Sequence, residues 1–157
     1  MILGINIDQG RKENIIMEFI TYGCGNKFKP EKFKPIENRS NKPTGGMWGS
    51  LVGTEYGWKK WCEAEDYNLE CFDTTFKFKI DGNILIIDKK EDLNELTWLK
   101  DVAFNEIIDF EIVAFKWDAI ILTENGQRET RMSHPKNLYG WDCECILVLN
   151  GKSVIPT

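Results

Sequence analysis

The chain of 157 residues is long enough for one domain with a single core and too short for two ordinary domains. Its composition, 42% hydrophobic and 29% charged, is typical of a globular protein and excludes a disordered chain. The net charge of -5 argues against general nucleic-acid affinity, because non-specific binding depends on many lysine and arginine contacts to phosphate.

The first 16 residues allow two interpretations. The codons of Arg11 and its two successors could form a ribosome-binding sequence, so that translation starts at Met17 and residues 1–16 are a wrongly assigned extension. Alternatively, they form an ordinary N-terminal strand or arm. The stretch lacks the basic flank and long apolar core of a signal peptide, and no apolar run approaches membrane-spanning length. We therefore expect a cytoplasmic protein without membrane contact, with a single domain over residues 17–157.

A strand and a basic loop open this domain. The β-rich run over residues 15–22 predicts a first strand, which Gly23 and Gly25 end. The loop that follows, residues 24–46, is either simply solvated or a flap whose cations face an anionic ligand such as a pyrophosphate. Its basic residues are Lys27, Lys29, Lys32, Lys34, Arg39 and Lys42.

Residues 47–87 predict a strand, a helix and a hairpin. A short strand over 47–52 is followed by Thr54, a candidate N-cap for a helix. Alternation of polar and apolar residues over 72–80 is typical of a half-buried strand. Residues 81–83 read Asp-Gly-Asn, a hairpin signal, and a buried strand returns over 84–87. The predicted helix places three apolar side chains on one face: Trp58, Trp61 and Cys62.

The next residues predict helices with less certain limits. Asp88 and Glu91 have the spacing of a capping box, for a helix that carries Leu93, Leu96 and Leu99. Apolar residues over 103–116 recur at near-helical intervals, and a strand is the alternative because the run is rich in β-branched residues.

The last third ends in a buried strand. Residues 117–123 predict a strand, and 124–136, which are polar with Gly and Pro, predict a loop. The continuous apolar run over 145–149 suits a central strand that is covered on both faces. Strands first, short helices between them and a late buried strand predict an α+β fold on a mixed or antiparallel sheet.

Three short segments carry the functional signal. Residues 20–24 read ITYGC, residues 42–50 read KPTGGMWGS and lead into GWKKWC at 57–62, and residues 141–150 read WDCECILVLN. In this order they resemble the three-part signature of poly(ADP-ribose) polymerase-like ADP-ribosyltransferases. The resemblance implies a split sheet with short helices, NAD as co-substrate, no metal, and transfer of ADP-ribose to an acceptor.

The resemblance assigns the catalytic role to carboxylates beside the late strand. Cleaving the bond between nicotinamide and ribose makes the anomeric carbon oxocarbenium-like, so a carboxylate has to lie near the developing positive charge. Glu144 stands immediately before the apolar run, where the family places its catalytic Glu. Asp142, two residues earlier, lies on the same face of an extended strand and could share or replace the role.

The other two segments supply the expected NAD-binding residues. Trp48 corresponds to one wall of a nicotinamide sandwich, and Trp58 or Trp61 lies at the spacing of the opposite wall, although Trp61 also suits the core. The family's first motif contains a His that this chain lacks. Tyr22 takes its place if Tyr-Gly replaces His-Gly, and Thr21 does so if the motif was His-Tyr-Gly; both side chains donate and accept hydrogen bonds. The remaining expected contacts are Gly23, Gly46 and Ser50.

Two functions follow from these segments. The three segments are similar to segments of small proteins of bacteriophages and mobile elements. This similarity implies that the protein acts in the cytoplasm of a bacterial host and that the acceptor is a host protein or nucleic acid. The first hypothesis is a small ADP-ribosyltransferase or NAD glycohydrolase. The alternative is an inactive protein of the same fold that binds and inhibits a host defence protein.

Cysteine and histidine usage favours neither a disulfide scaffold nor a metal site. Five cysteines are an odd number, they lack Cys-x-x-Cys spacing, and the chain has one histidine. We expect reduced thiols in a cytosol.

Overall fold

The computed structural model describes residues 17–100 and 106–157. The two interpretations of residues 1–16, and residues 103–105 of the ambiguous run, lie outside the described residues. The described part of the chain is α+β, as expected. Its strands are β1 (Phe19–Tyr22), β2 (Met47–Leu51), β3 (Thr75–Ile80), β4 (Ile84–Ile87), β5 (Trp98–Lys100), β6 (Glu106–Ile108), β7 (Ala119–Leu122), β8 (Cys145–Val148) and β9 (Val154–Pro156), and its helices are α1 (Trp58–Glu65), α2 (Phe110–Lys116) and α3 (Glu124–Thr130).

Seven strands form one mixed sheet in the order β4-β7-β8-β2-β1-β3-β9. β4 and β7 are parallel, and the other neighbours are antiparallel. β2 joins two halves, because its first residues, Met47 to Gly49, pair with β8, whereas Ser50 and Leu51 pair with β1. β5 and β6 form a separate antiparallel pair.

The apolar core has two parts, one on each face of the half-sheet that contains β8. In the first part, Phe78 of β3 and Phe19 of β1 pack with Ile146 of β8, so the two halves of the sheet share this core. In the second, Leu147 of β8 packs with Phe110 of α2. Every residue of β8 is buried, which confirms the central strand predicted from its continuous apolar run. The residues immediately before β8 are thereby held against the middle of the sheet.

The predicted hairpin around Gly82 is wrong. β3 pairs with β1 and β9, whereas β4 pairs with β7 at the opposite edge of the sheet. The turn residues make their hydrogen bonds elsewhere: the amide of Asp81 donates to the carbonyl of Ser153 at 2.8 Å, and the amide of Asn83 donates to Asp118 Oδ2 at 2.8 Å. The three residues therefore connect the two halves of the sheet instead of closing a two-stranded ribbon.

Two helix predictions and one loop prediction also need correction. α1 begins after Gly57, and Thr54 caps a preceding turn by accepting from the amide of Tyr56. The helix expected after Asp88 is a short 3₁₀ helix, Lys90–Glu95, and Leu99 lies exposed in β5. The expected loop 124–136 starts with α3, whose N-cap side chain, Thr123, accepts from the amide of Gly126. The sequence did not predict α3 because its residues are mostly polar and its buried residues, Gly126 and Thr130, are small.

The ambiguous run at 103–116 contains both alternatives, since β6 is followed by α2. The strands predicted over 47–52 and 117–123 are confirmed as β2 and β7, with ends shifted by one or two residues. β3 begins at Thr75, because Leu69–Asp73 forms a 3₁₀ turn.

Candidate functional site

Seven of the nine residues expected at the site line one cleft of about 360 Å³. This aromatic cleft lies where β1, β2, the start of α1 and the segment before β8 meet. Its volume is at the lower end of the range of small-molecule sites, about 300–1,000 Å³. The expected residues that line it are Thr21, Tyr22, Gly46, Trp48, Ser50, Trp58 and Asp142.

The indole rings of the cleft are held by other aromatic rings. Trp48 meets the buried Trp141 edge to face, with ring centroids 4.8 Å apart. Trp58 stacks on Trp61 at 5.1 Å with an interplanar angle of 11°, so one of its two faces is covered. Of the two candidates for the second wall of the nicotinamide site, Trp58 lines the cleft, and Trp61 lines a second pocket beside it. The rings are thus fixed before any ligand arrives, which reduces the entropy lost on binding.

The threonine and the serine of the cleft use their hydroxyl groups for hydrogen bonds within the fold. Thr21 is 1% exposed, and its Oγ1 donates to the carbonyl of Trp48 at 2.8 Å, which ties β1 to β2. Ser50 Oγ accepts from the amide of Trp58 at 3.1 Å and so supplies the missing cap of α1. Both residues position the tryptophans that line the cleft.

The expected glycines are required by backbone geometry. Gly46 has φ +67°, and a Cβ there would lie 2.7 Å from the carbonyl oxygen of Val148. Gly46 therefore lets β2 approach β8, although it also lines the cleft. Gly23 has φ +76° and is exposed; it adjoins Cys71 and is not among the residues that line the cleft.

Asp142 is the carboxylate that lines the aromatic cleft. Its Oδ2 lies 3.4 Å from Lys42 Nζ, and the two side chains are 24% and 48% exposed. Because both groups keep contact with water, the pair is weak and leaves the carboxylate accessible.

Glu144 lies in a different cavity. The neighbouring pocket, about 270 Å³, is lined by Glu144, Tyr56, Trp61 and Arg128 among others, and it shares Asp142 and Cys143 with the aromatic cleft. The amide of Glu144 donates to the carbonyl of Tyr56 at 3.1 Å. Its Oε1 is buried and has no hydrogen-bond partner among the described residues. Both carboxylates of the segment before β8 line this pocket, and only Asp142 also lines the aromatic cleft.

Burial keeps two thiols and one phenol of the cleft protonated. It raises the pKa of the Cys143 thiol to about 12, with a further contribution from Asp142, and raises the pKa of Cys145 well above the ordinary range. The pKa of Tyr22 is also raised, first by burial and then by Cys71 and Glu63. At neutral pH the two thiols are poor nucleophiles, and the Tyr22 hydroxyl can donate a hydrogen bond.

Sequence reasoning missed several residues that line the cleft: Cys24, Lys42, Trp141, Cys143 and Cys145. Trp141 had a usable signal, since it adjoins Asp142 in the last of the three segments. Lys42 was noted only as one cation of the basic loop, and its pairing with Asp142 had no signal because the two residues are 100 positions apart.

The part of the chain that the structure describes contains no group of three His, Cys, Asp or Glu side chains close enough to hold a metal ion. All five cysteines are free. None of the helices within 17–100 and 106–157 is long and apolar enough to cross a membrane. Comparison of the chain with protein-family models, with curated proteins and with solved structures finds no match.

Proposed function

We propose that the protein binds NAD with the nicotinamide ring in the aromatic cleft and cleaves the bond between nicotinamide and ribose. ADP-ribose then passes to an acceptor or to water, as in ADP-ribosyltransferases and NAD glycohydrolases. One observation carries the proposal. Three segments that are far apart in sequence, and that resemble the three motifs of the ADP-ribosyltransferases, bring seven of the expected site residues to a single cleft. The division of the mixed sheet at β2 is consistent with the ADP-ribosyltransferase-like fold that the resemblance implies.

The chemistry assigned to the cleft needs a ring platform and one carboxylate. Trp48 and Trp58 offer aromatic surface in the cleft, and a stacked ring gains about 0.5–1.5 kcal/mol beyond its area burial. Asp142 lies at the same cleft, where its charge stabilises the oxocarbenium-like centre as nicotinamide leaves with the bonding electrons. Tyr22 keeps its proton and can bind a ribose hydroxyl.

The direct test measures binding and turnover separately. Calorimetry with NAD at up to millimolar concentration is expected to give binding to one site, and incubation with nicotinamide-labelled NAD is expected to release free nicotinamide. Label on the adenylate part reports transfer when a bacterial lysate supplies acceptors. If NAD neither binds nor loses nicotinamide, the proposed activity is wrong.

A second candidate function is an inactive binding protein of the same fold, directed against a host defence protein. The observation that favours it is the position of Glu144, whose carboxylate lies in the neighbouring pocket instead of the cleft. The net charge of -5 also suits a basic partner surface. A stoichiometric partner recovered from host lysate at high salt, without NAD and without nicotinamide release, would favour this function.

A further inference from the structure

A smaller cavity adjoins the aromatic cleft. It has a volume of about 100 Å³ and shares Cys24, Gly46 and Met47 with the cleft. Its other walls come from β3 and from the loop between β1 and β2. These walls are Phe28, Lys29, Lys32, Phe33 and Phe76, and we name the cavity the lysine pocket.

The backbone that carries its two lysines is anchored on both sides. Phe28 and Phe33 are partly buried against the core that the two halves of the sheet share. The ring of Phe33 lies over Gly151, where a Cβ would come within 2.7 Å of its Cγ. Between these rings, Pro30–Lys32 forms a 3₁₀ turn in which the amide of Lys32 donates to the carbonyl of Lys29 at 3.0 Å. Lys29 and Lys32 therefore project from a fixed backbone.

The charges of these lysines are not neutralised by carboxylates of the fold. Within the described ranges, neither Lys29 nor Lys32 forms an ion pair, although Glu31 belongs to the same turn; Lys42, in contrast, is paired with Asp142. Two lysines that line one cavity and have no ion-pair partner create a positive potential that attracts anions. Ammonium groups are also common ligands of phosphate in proteins.

We infer that the lysine pocket binds a pyrophosphate group, through Lys29 and Lys32. The inference rests on the proposed function, because it assigns a place to the anionic part of the dinucleotide whose ring lies in the adjoining aromatic cleft. It also predicts selectivity: phosphorylated ligands bind more tightly than nicotinamide alone, since only they reach both cavities.

Two double variants with the same change of net charge test the inference. Lys29→Glu/Lys32→Glu reverses the charges that line the lysine pocket. Lys27→Glu/Lys34→Glu reverses two exposed lysines of the same loop that line neither cavity. The probes for calorimetry are NAD, nicotinamide and inorganic pyrophosphate, at low and at high salt. Thermal melting shows whether each variant is folded.

The first double variant is expected to lose about tenfold or more in affinity for NAD and for pyrophosphate, because charge-assisted contacts are replaced by repulsion. Its affinity for nicotinamide should change less than about twofold. The control should lose less than about threefold for NAD, a loss that salt removes because it arises from distant charge.

The measurements with NAD and with pyrophosphate test the lysine pocket and the proposed function separately. Equal NAD and pyrophosphate affinities in the two folded double variants would overturn the lysine pocket and leave the proposed function standing. Pyrophosphate binding that requires Lys29 and Lys32, in a protein that does not bind NAD, would support the anion site and overturn the NAD-dependent function. If the protein binds neither NAD nor pyrophosphate, the lysine pocket and the proposed function are both wrong.

Discussion

Replacing Asp142 by asparagine is expected to slow nicotinamide release much more than replacing Glu144 by glutamine. Asp142 lines the cleft that contains the aromatic platform, whereas Glu144 lines the neighbouring pocket. Losing one preorganised electrostatic contact to the transition state costs about 2.7–4 kcal/mol, or roughly 10²–10³ in rate. A carboxylate in the next cavity acts only at longer range, so Glu144→Gln should cost less than about tenfold.

Both substitutions should leave the fold intact, so the loss of rate can be separated from unfolding. The ion pair between Asp142 and Lys42 spans 3.4 Å between side chains that keep contact with water, and such pairs contribute up to about 1 kcal/mol. Glu144 Oε1 has no hydrogen-bond partner within the described ranges, so an uncharged amide there should change the free energy of unfolding by no more than about 1 kcal/mol.

The assay combines initial rates of nicotinamide release with NAD affinity and urea denaturation for the wild type and both variants. Glu65→Gln, an exposed acid of α1 that lines none of the three cavities, controls for the loss of one charge. A larger loss in Glu144→Gln than in Asp142→Asn would move the catalytic carboxylate to Glu144. Negligible losses in both variants of an active protein would falsify carboxylate catalysis before β8.

Three further predictions concern stability. Gly46→Ala should destabilise the protein by about 2–4 kcal/mol in urea denaturation, because φ is +67° and the new Cβ would lie 2.7 Å from the carbonyl oxygen of Val148. Gly25→Ala is the control: φ there is +89°, a Cβ would have no atom within 4 Å, and the change should cost only about 1 kcal/mol. Equal losses would refute the close approach of β2 to β8. Thr21→Val should cost about 1–2 kcal/mol and change the fluorescence of Trp48, since the carbonyl of Trp48 loses its donor; unchanged stability would show that this bond is dispensable. The free energy of unfolding should fall by about 1–2 kcal/mol from pH 8 to pH 10 for each buried thiol. The folded pKa of Cys143 is about 12 and that of Cys145 is also raised, so only the unfolded chain releases these protons. Cys143→Ser should reduce the fall, and an identical pH profile would contradict the burial of the Cys143 thiol.

The sequence predicted those elements whose signal is local. The run 145–149 gave a correct central strand because a strand covered on both faces has apolar residues at every position. The hairpin at Gly82 failed because turn residues specify a reversal of the chain and not the partner strand. Here Asp118 and Ser153 provide the acceptors that direct β3 and β4 to opposite halves of the sheet.

α3 shows a second limit of local patterns. Its residues are mostly polar, so no apolar stripe marks a helix over 124–130. Gly126 makes the packing possible, since a Cβ at this position would lie 2.1 Å from the carbonyl oxygen of Ile87. When a helix contacts a strand through its backbone, the only sign of that contact in the sequence is a glycine. A glycine in a polar stretch normally indicates a loop, so the helix was not predicted.

The site residues divide in the same way, between those identified by type and those placed by packing. Residue type and order indicated Trp48, Trp58 and Asp142, because rings and carboxylates are what the proposed chemistry uses. No local pattern states which of Asp142 and Glu144 reaches the cleft; the pairing of β2 with β8 and the bond from Glu144 to Tyr56 decide that. The two acids therefore offer a direct comparison, because they are two residues apart on one segment and only Asp142 lines the aromatic cleft. Whatever chemistry the cleft performs, the acid that governs it should be the one that lines it.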